Sequence, residues 1–129
     1  MTSFNEILLV DDDRLLNSLH KLYLSESSIA NTISVEENVV DVIPKLKNKE
    51  YNPDIILLDL NMPRLNGWDF LDEYKKHFKP LEKQIFIFSA SVNPNDFTRA
   101  EEHPYVCGFL EKPLNPQTIE SKLIPALKH

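Results

Sequence analysis

One cysteine and two glycines occur in 129 residues, and no apolar run exceeds four or five residues. Each scarcity excludes something. A lone Cys107 allows no intramolecular disulfide and no CxxC zinc or redox motif, which points to a reducing setting. Each apolar run is closed by a polar or charged residue, far short of the roughly 20 residues needed to cross a bilayer. No membrane span is expected. The opening MTSFNEILLV carries no basic residue ahead of its apolar stretch, against a secretory signal. The expected location is therefore the cytoplasm. With 14 basic and 20 acidic residues the net charge is -6, and no Lys/Arg cluster offers a phosphate-neutralising patch. Nucleic acid is not an expected partner. The four histidines are scattered without an H-x-x-x-H pair, so no transition-metal site is expected. Without repeats, low-complexity tracts or a Gly/Ser linker, residues 1–129 read as a single domain.

What the sequence does contain is an alternation. Apolar runs stand at Ile7–Val10, Ile33–Val35, Ile55–Leu58, Ile85–Phe88 and Val106–Leu110. Uninterrupted runs of this length suit strands covered on both faces, as in a parallel sheet under helices. Helical spacing lies between them. Leu15, Leu16, Leu19, Leu22 and Tyr23 predict one buried helix face, with Asn17, Ser18, His20 and Lys21 falling between. Trp68, Leu71, Tyr74 and Phe78 repeat the spacing and read as core rather than as a platform for stacking bases. Asn93-Pro94 and Asn115-Pro116 each set an N-cap before a proline at the first helical position, and Asn66-Gly67 marks a turn. Pro44 and Pro125 are expected to kink the second and last helices. Cys107 reads as a small buried strand residue. The fold class is α/β, a three-layer helix–sheet–helix domain with right-handed crossovers.

In open α/β sheets chemistry sits at the carboxyl ends of the strands. Run one ends in Asp11, Asp12 and Asp13, run three in Asp59 and run four in Ser89, while run five leads to Lys112-Pro113. Carboxylates about 4 Å apart repel by about 1 kcal/mol in water and about 4 kcal/mol at an effective dielectric of 20. A divalent cation relieves that repulsion, and oxygen-only ligands suit Mg²⁺. A carboxylate beside Mg²⁺ can attack phosphorus while a lysine neutralises phosphoryl oxygens and a hydroxyl donates one hydrogen bond. The reading is phosphoryl transfer to Asp. Asp13 itself reads as a helix N-cap.

These residues resemble the receiver domain of two-component response regulators. The marks are Leu9-Val10-Asp11-Asp12, Asp59-Leu60-Asn61-Met62-Pro63 running into Asn66-Gly67, Phe88-Ser89-Ala90, and Phe109-Leu110-Glu111-Lys112-Pro113, spread over residues 5–127. The resemblance implies a flavodoxin-like (βα)5 fold with strand order 2-1-3-4-5. It implies that Asp59 is the phosphoacceptor and that Asp12, Asp59 and the backbone carbonyl of Asn61 bind Mg²⁺, with Asp11 holding a metal-bound water. Lys112 would pair with the phosphoryl group. Ser89 and Phe109 would form the switch, and Asn61 and Ser91 would tune hydrolysis of the phosphoryl group. The implied partners are a histidine kinase or His-phosphotransfer protein, and a downstream protein docking on helix 4, strand 5 and helix 5. The chain would act as a stand-alone signalling protein whose catalysis is limited to its own phosphorylation and dephosphorylation. Phe109 departs from relatives that carry a phenol hydroxyl, and Ser89 from the commoner threonine.

Two other readings compete. Val10-Asp11-Asp12-Asp13 also resembles the start of haloacid-dehalogenase-type phosphatases, with Asp11 as nucleophile and Asp13 as general acid. That scheme lacks an acidic pair beyond Lys112 and leaves Asp59 without a task. A pseudo-receiver, folded alike but docking without phosphorylation, would not require the intact acidic set.

Overall fold

All five apolar runs become strands of one parallel sheet. The computed structural model describes residues 3–90 and 93–127. The strands are β1 Phe4–Val10, β2 Ala30–Glu36, β3 Ile55–Leu58, β4 Gln84–Ser89 and β5 Gly108–Glu111, in the order 2-1-3-4-5. This is the flavodoxin-like topology, whose direction of winding reverses between β1 and β3. Side chains alternate along each strand and so divide the interior in two. Leu8, Val10, Ile56, Leu58, Ile85 and Ile87 enter one core with Trp68, Phe70, Leu71 and Tyr74. Ile7, Leu9, Ile55, Leu57, Phe86 and Phe88 enter the other, with Leu24, Ile119 and Leu123. Burial on both faces explains why the central strands carry no polar alternation.

The helices are α1 Arg14–Ser27, α2 Val42–Lys47, α3 Gly67–Tyr74, α4 Pro94–Glu102, and α5 over residues 116–126. Their starts follow the cap residues. Asp13, Asn66, Asn93 and Asn115 each accept a backbone N–H three residues on, at 2.8 to 3.0 Å. Pro94 and Pro116 open α4 and α5, where the missing N–H leaves no bond unmade.

Three expectations are corrected. Leu15, Leu19 and Leu22 face solvent at 85%, 37% and 53% exposure, and the buried face of α1 is Asn17, His20 and Leu24. At 3.6 residues per turn the two stripes lie on opposite sides of the helix. Pro44 does not kink α2. It lies in the first turn, after a 3₁₀ turn at Val39–Asp41, where no intrahelical acceptor is required. Pro125 does disturb α5, by a specific route. Residues Ile119–Leu123 form a π turn, in which the N–H of Ile124 reaches the carbonyl of Ile119, and Pro125 follows at the turn's end. The third correction is Cys107, which is exposed and precedes β5, although its N–H still bonds the Ile85 carbonyl at 2.7 Å.

No helix among the described residues is long and apolar enough to cross a membrane.

Candidate phosphoacceptor site

The strand register brings the acidic residues together. Val10 pairs with Leu58, Leu58 with Ile87, and Ser89 with Glu111. The ladder then runs one step past the strands: Asp11 N–H bonds Glu36, Asp59 N–H bonds Val10, and Lys112 N–H bonds Ser89, at 3.0 to 3.1 Å. Backbone hydrogen bonds therefore hold the residues that follow β1, β3 and β5 at one edge.

Carboxylate oxygens of Asp11, Asp12 and Asp59 lie within 4.8 Å of one another. Asp11 and Asp59 are buried, and Asp12 is exposed. Lys112 donates to Asp11 Oδ2, and its Nζ stands 3.7 Å from Asp59 Oδ2. One cation thus serves two buried carboxylates. Asp11 Oδ1 also accepts the Asp13 N–H at 3.0 Å, and Asp59 Oδ1 accepts the Asn61 N–H at 3.3 Å. Asn61 Nδ2 reaches Ser89 Oγ at 3.4 Å, tying the buried hydroxyl to the loop beyond Asp59. Asp11, Asp12, Asp59, Asn61 and Lys112 border a pocket of 340 Å³. A larger hollow of 520 Å³ lies between α5 and the starts of β4 and β5, without converging carboxylates.

Burial pushes Asp59 up to about 6, against the pull of Lys112, while the negative charges of Asp11 and Asp12 add to the rise. The carboxylate is therefore held in a site short of positive charge. Three carboxylates with no nitrogen or sulfur among them suit a hard divalent cation. Mg²⁺ fits this donor set, with Asp12 facing solvent where exchangeable water ligands would remain.

Gly67 explains how α3 can begin so close to the site. A Cβ there would stand 2.8 Å from the Asp59 carbonyl oxygen, so no larger residue fits without displacing that backbone. Phe109 is half-buried, its ring centroid 5.8 Å from that of Phe97 on α4. Ser91 lies outside the described residues. Trp68 is core as expected, with its Nε1 donating to Asp96 and Arg99 stacked 4.4 Å over its ring.

Two residues escape a reading of the sequence. Asn17 Nδ2 donates to the Asp11 carbonyl at 2.8 Å, and His20 packs on Phe88 at 4.7 Å. Both look like residues between leucines. Their i, i+3 spacing, continued to Leu24, is the signal that they share the inner face.

The sequence matches the response regulator receiver domain over residues 7–124. The chain belongs to that family. It is thus a receiver of the two-component signalling type. It is similar to the nitrate/nitrite response regulator protein NarL of Escherichia coli, 32% identical over 116 residues, covering 88% of this chain and 50% of that protein. It also resembles the transcriptional regulatory protein BtsR of Escherichia coli, 25% identical over 118 residues, with 92% and 46% covered. The chain spans about half the length of the curated relatives it matches. Among solved structures, a two-component response regulator from Cytophaga hutchinsonii superposes with a TM-score of 0.88 at 28% identity, over 98% of this chain and 99% of that one. A response regulator receiver protein from Dyadobacter fermentans does so at 0.80 and 26%, over 95% and 94%.

Proposed function

We propose that this receiver accepts a phosphoryl group on Asp59 and signals by changing its affinity for a protein partner. The observation that carries the reading is the buried Lys112 ammonium set between Asp11 and Asp59, with Asp12 beside them. The donor is a phosphohistidine on a histidine kinase or phosphotransfer protein. An Asp59 oxygen attacks phosphorus, the P–N bond breaks, and the imidazole leaves with the electron pair. Bound by Asp12, Asp59 and the Asn61 carbonyl, with Asp11 through a water, Mg²⁺ would supply positive charge to the equatorial oxygens. Lys112 neutralises a second flank of the transferred group. Its move toward the new phosphoryl oxygens loosens its hold on Asp11.

Ser89 donates its hydroxyl to a phosphoryl oxygen, which breaks its contact with Asn61. The space so vacated lets the half-buried Phe109 ring turn inward, reshaping the surface of α4, β5 and α5 where a partner docks. Burial alone drives the ring, since it carries no hydroxyl to anchor. Asn61, whose N–H bonds Asp59, and Ser91 set how readily water attacks the group.

Incubation with acetyl phosphate and Mg²⁺, followed by borohydride trapping and peptide mapping, tests the assignment. Label on Asp59, lost in Asp59→Asn, supports it. Label on Asp11 would transfer the chemistry to a phosphatase-like scheme.

A further inference from the structure

Beneath the acidic pocket lies a stack that the phosphoryl-transfer reading does not use. His20 projects from the inner face of α1 and has no exposed surface. Neither ring nitrogen has a hydrogen-bond partner, an unusual state for a buried polar group. Its ring meets Phe88 with centroids 4.7 Å apart and planes tilted by 58°. Lys112 Nζ sits 5.4 Å from the centroid of the same Phe88 ring. One phenyl ring therefore touches both the histidine and the ammonium that the pocket depends on.

We propose that His20 is a positioning residue for phosphoryl transfer: it fixes the Phe88 ring, and that ring holds the Lys112 ammonium in place beside Asp11 and Asp59. The inference rests on the receiver reading above. A lysine side chain has four rotatable bonds, and the pocket gains only when its end is already in place. The two carboxylates hold Nζ by charge, and the π face of Phe88 adds its own attraction. Burial and the nearby Lys112 charge lower the pKa of His20, so the ring is neutral and does not repel the ammonium. Asn17, one turn earlier, fixes the Asp11 carbonyl in the same way. The inner face of α1 thus braces the two buried groups that flank Asp59.

The test uses the full chain, saturating Mg²⁺ and beryllofluoride as a phosphoryl mimic. His20→Leu keeps the volume and loses the ring, while His20→Phe keeps a ring and loses the nitrogens. His20→Leu is expected to bind beryllofluoride about tenfold more weakly, the scale of one desolvated cation–π contact, with Mg²⁺ affinity unchanged. His20→Phe is expected to restore wild-type binding. Equal beryllofluoride affinity in His20→Leu and wild type would overturn the proposal, as would failure of His20→Phe to rescue. If His20→Leu does not fold, the wild-type proton spectrum decides: the Lys112 ε-methylene should lie upfield of the other lysines through the Phe88 ring current, and an ordinary shift refutes the stack. Absence of beryllofluoride binding by the wild type would instead sink the receiver reading, with the methylene shift still testing the stack on its own.

Discussion

Asp59 sits where burial and neighbouring charge oppose Lys112, and its proton affinity records the balance. Its folded value of about 6 exceeds the ordinary 3.8, so between those values the folded state holds the proton more tightly than the unfolded chain. Without metal, stability should therefore fall as pH rises from about 4 to about 6 and level off above. Urea titrations across that range check the sign. Mg²⁺ binding needs the ionised carboxylate, so its affinity should drop as pH is lowered through 6. Lys112→Ala removes the partner of a buried Asp11 carboxylate and should cost about 3–5 kcal/mol in metal-free buffer. Added Mg²⁺ should recover part of that loss, a contrast that melting curves with and without chelator will show. Asp59, Lys112 and Ser89 were legible because each follows an apolar run, and strand ends are where such folds do chemistry. His20 was not, since its spacing with Asn17 and Leu24 is outweighed by the five apolar residues that mark the other side of α1.

At the scale of elements, α1 is the case in which periodicity and packing part. Five apolar residues at helical spacing predict the inner face, yet three of them, Leu15, Leu19 and Leu22, are the exposed ones. The sheet decides the outcome. The N-cap at Asp13 and the Asn17 bond to Asp11 fix the rotation of α1, and that rotation turns Asn17, His20 and Leu24 inward. Leu24→Ala should then cost about 2–5 kcal/mol. Leu15→Lys should change stability by less than about 0.5 kcal/mol. Chemical denaturation of the two variants separates the observed face from the predicted one. In α5 the sequence announces a defect at Pro125 without its form. The π turn emerges only once Ile119 and Leu123 must both reach the core, a tertiary demand. Caps behave differently, because an Asn before Pro carries its own geometry and needs no distant partner.

For the molecule as a whole, folding assembles the candidate metal ligands at one edge of the sheet. The acidic trio meets only when β1 and β3 are paired, so Mg²⁺ is expected to bind the folded chain alone and to stabilise it. At a hundredfold excess over the dissociation constant the gain should be about 2.7 kcal/mol. Asp12→Ala should remove most of that gain while leaving metal-free stability nearly intact, since Asp12 is exposed and outside the Lys112 contacts. Calorimetry with Mg²⁺ and with chelator tests both halves. The three layers and the two cores follow from continuous apolar runs that need cover on either face, whereas the strand order 2-1-3-4-5 was legible only through the family resemblance. The exposure of Cys107 was not readable, because a run's first residues can precede the strand they lead into. That misjudged side chain has a practical use. As the chain's lone thiol, facing solvent, it offers one address for a maleimide dye. It stands at the far end of β5 from Lys112, about 16 Å away along an extended strand. A fluorophore attached there would report whether the surroundings of Phe109 and α5 change when beryllofluoride is added, without crowding the acidic pocket itself.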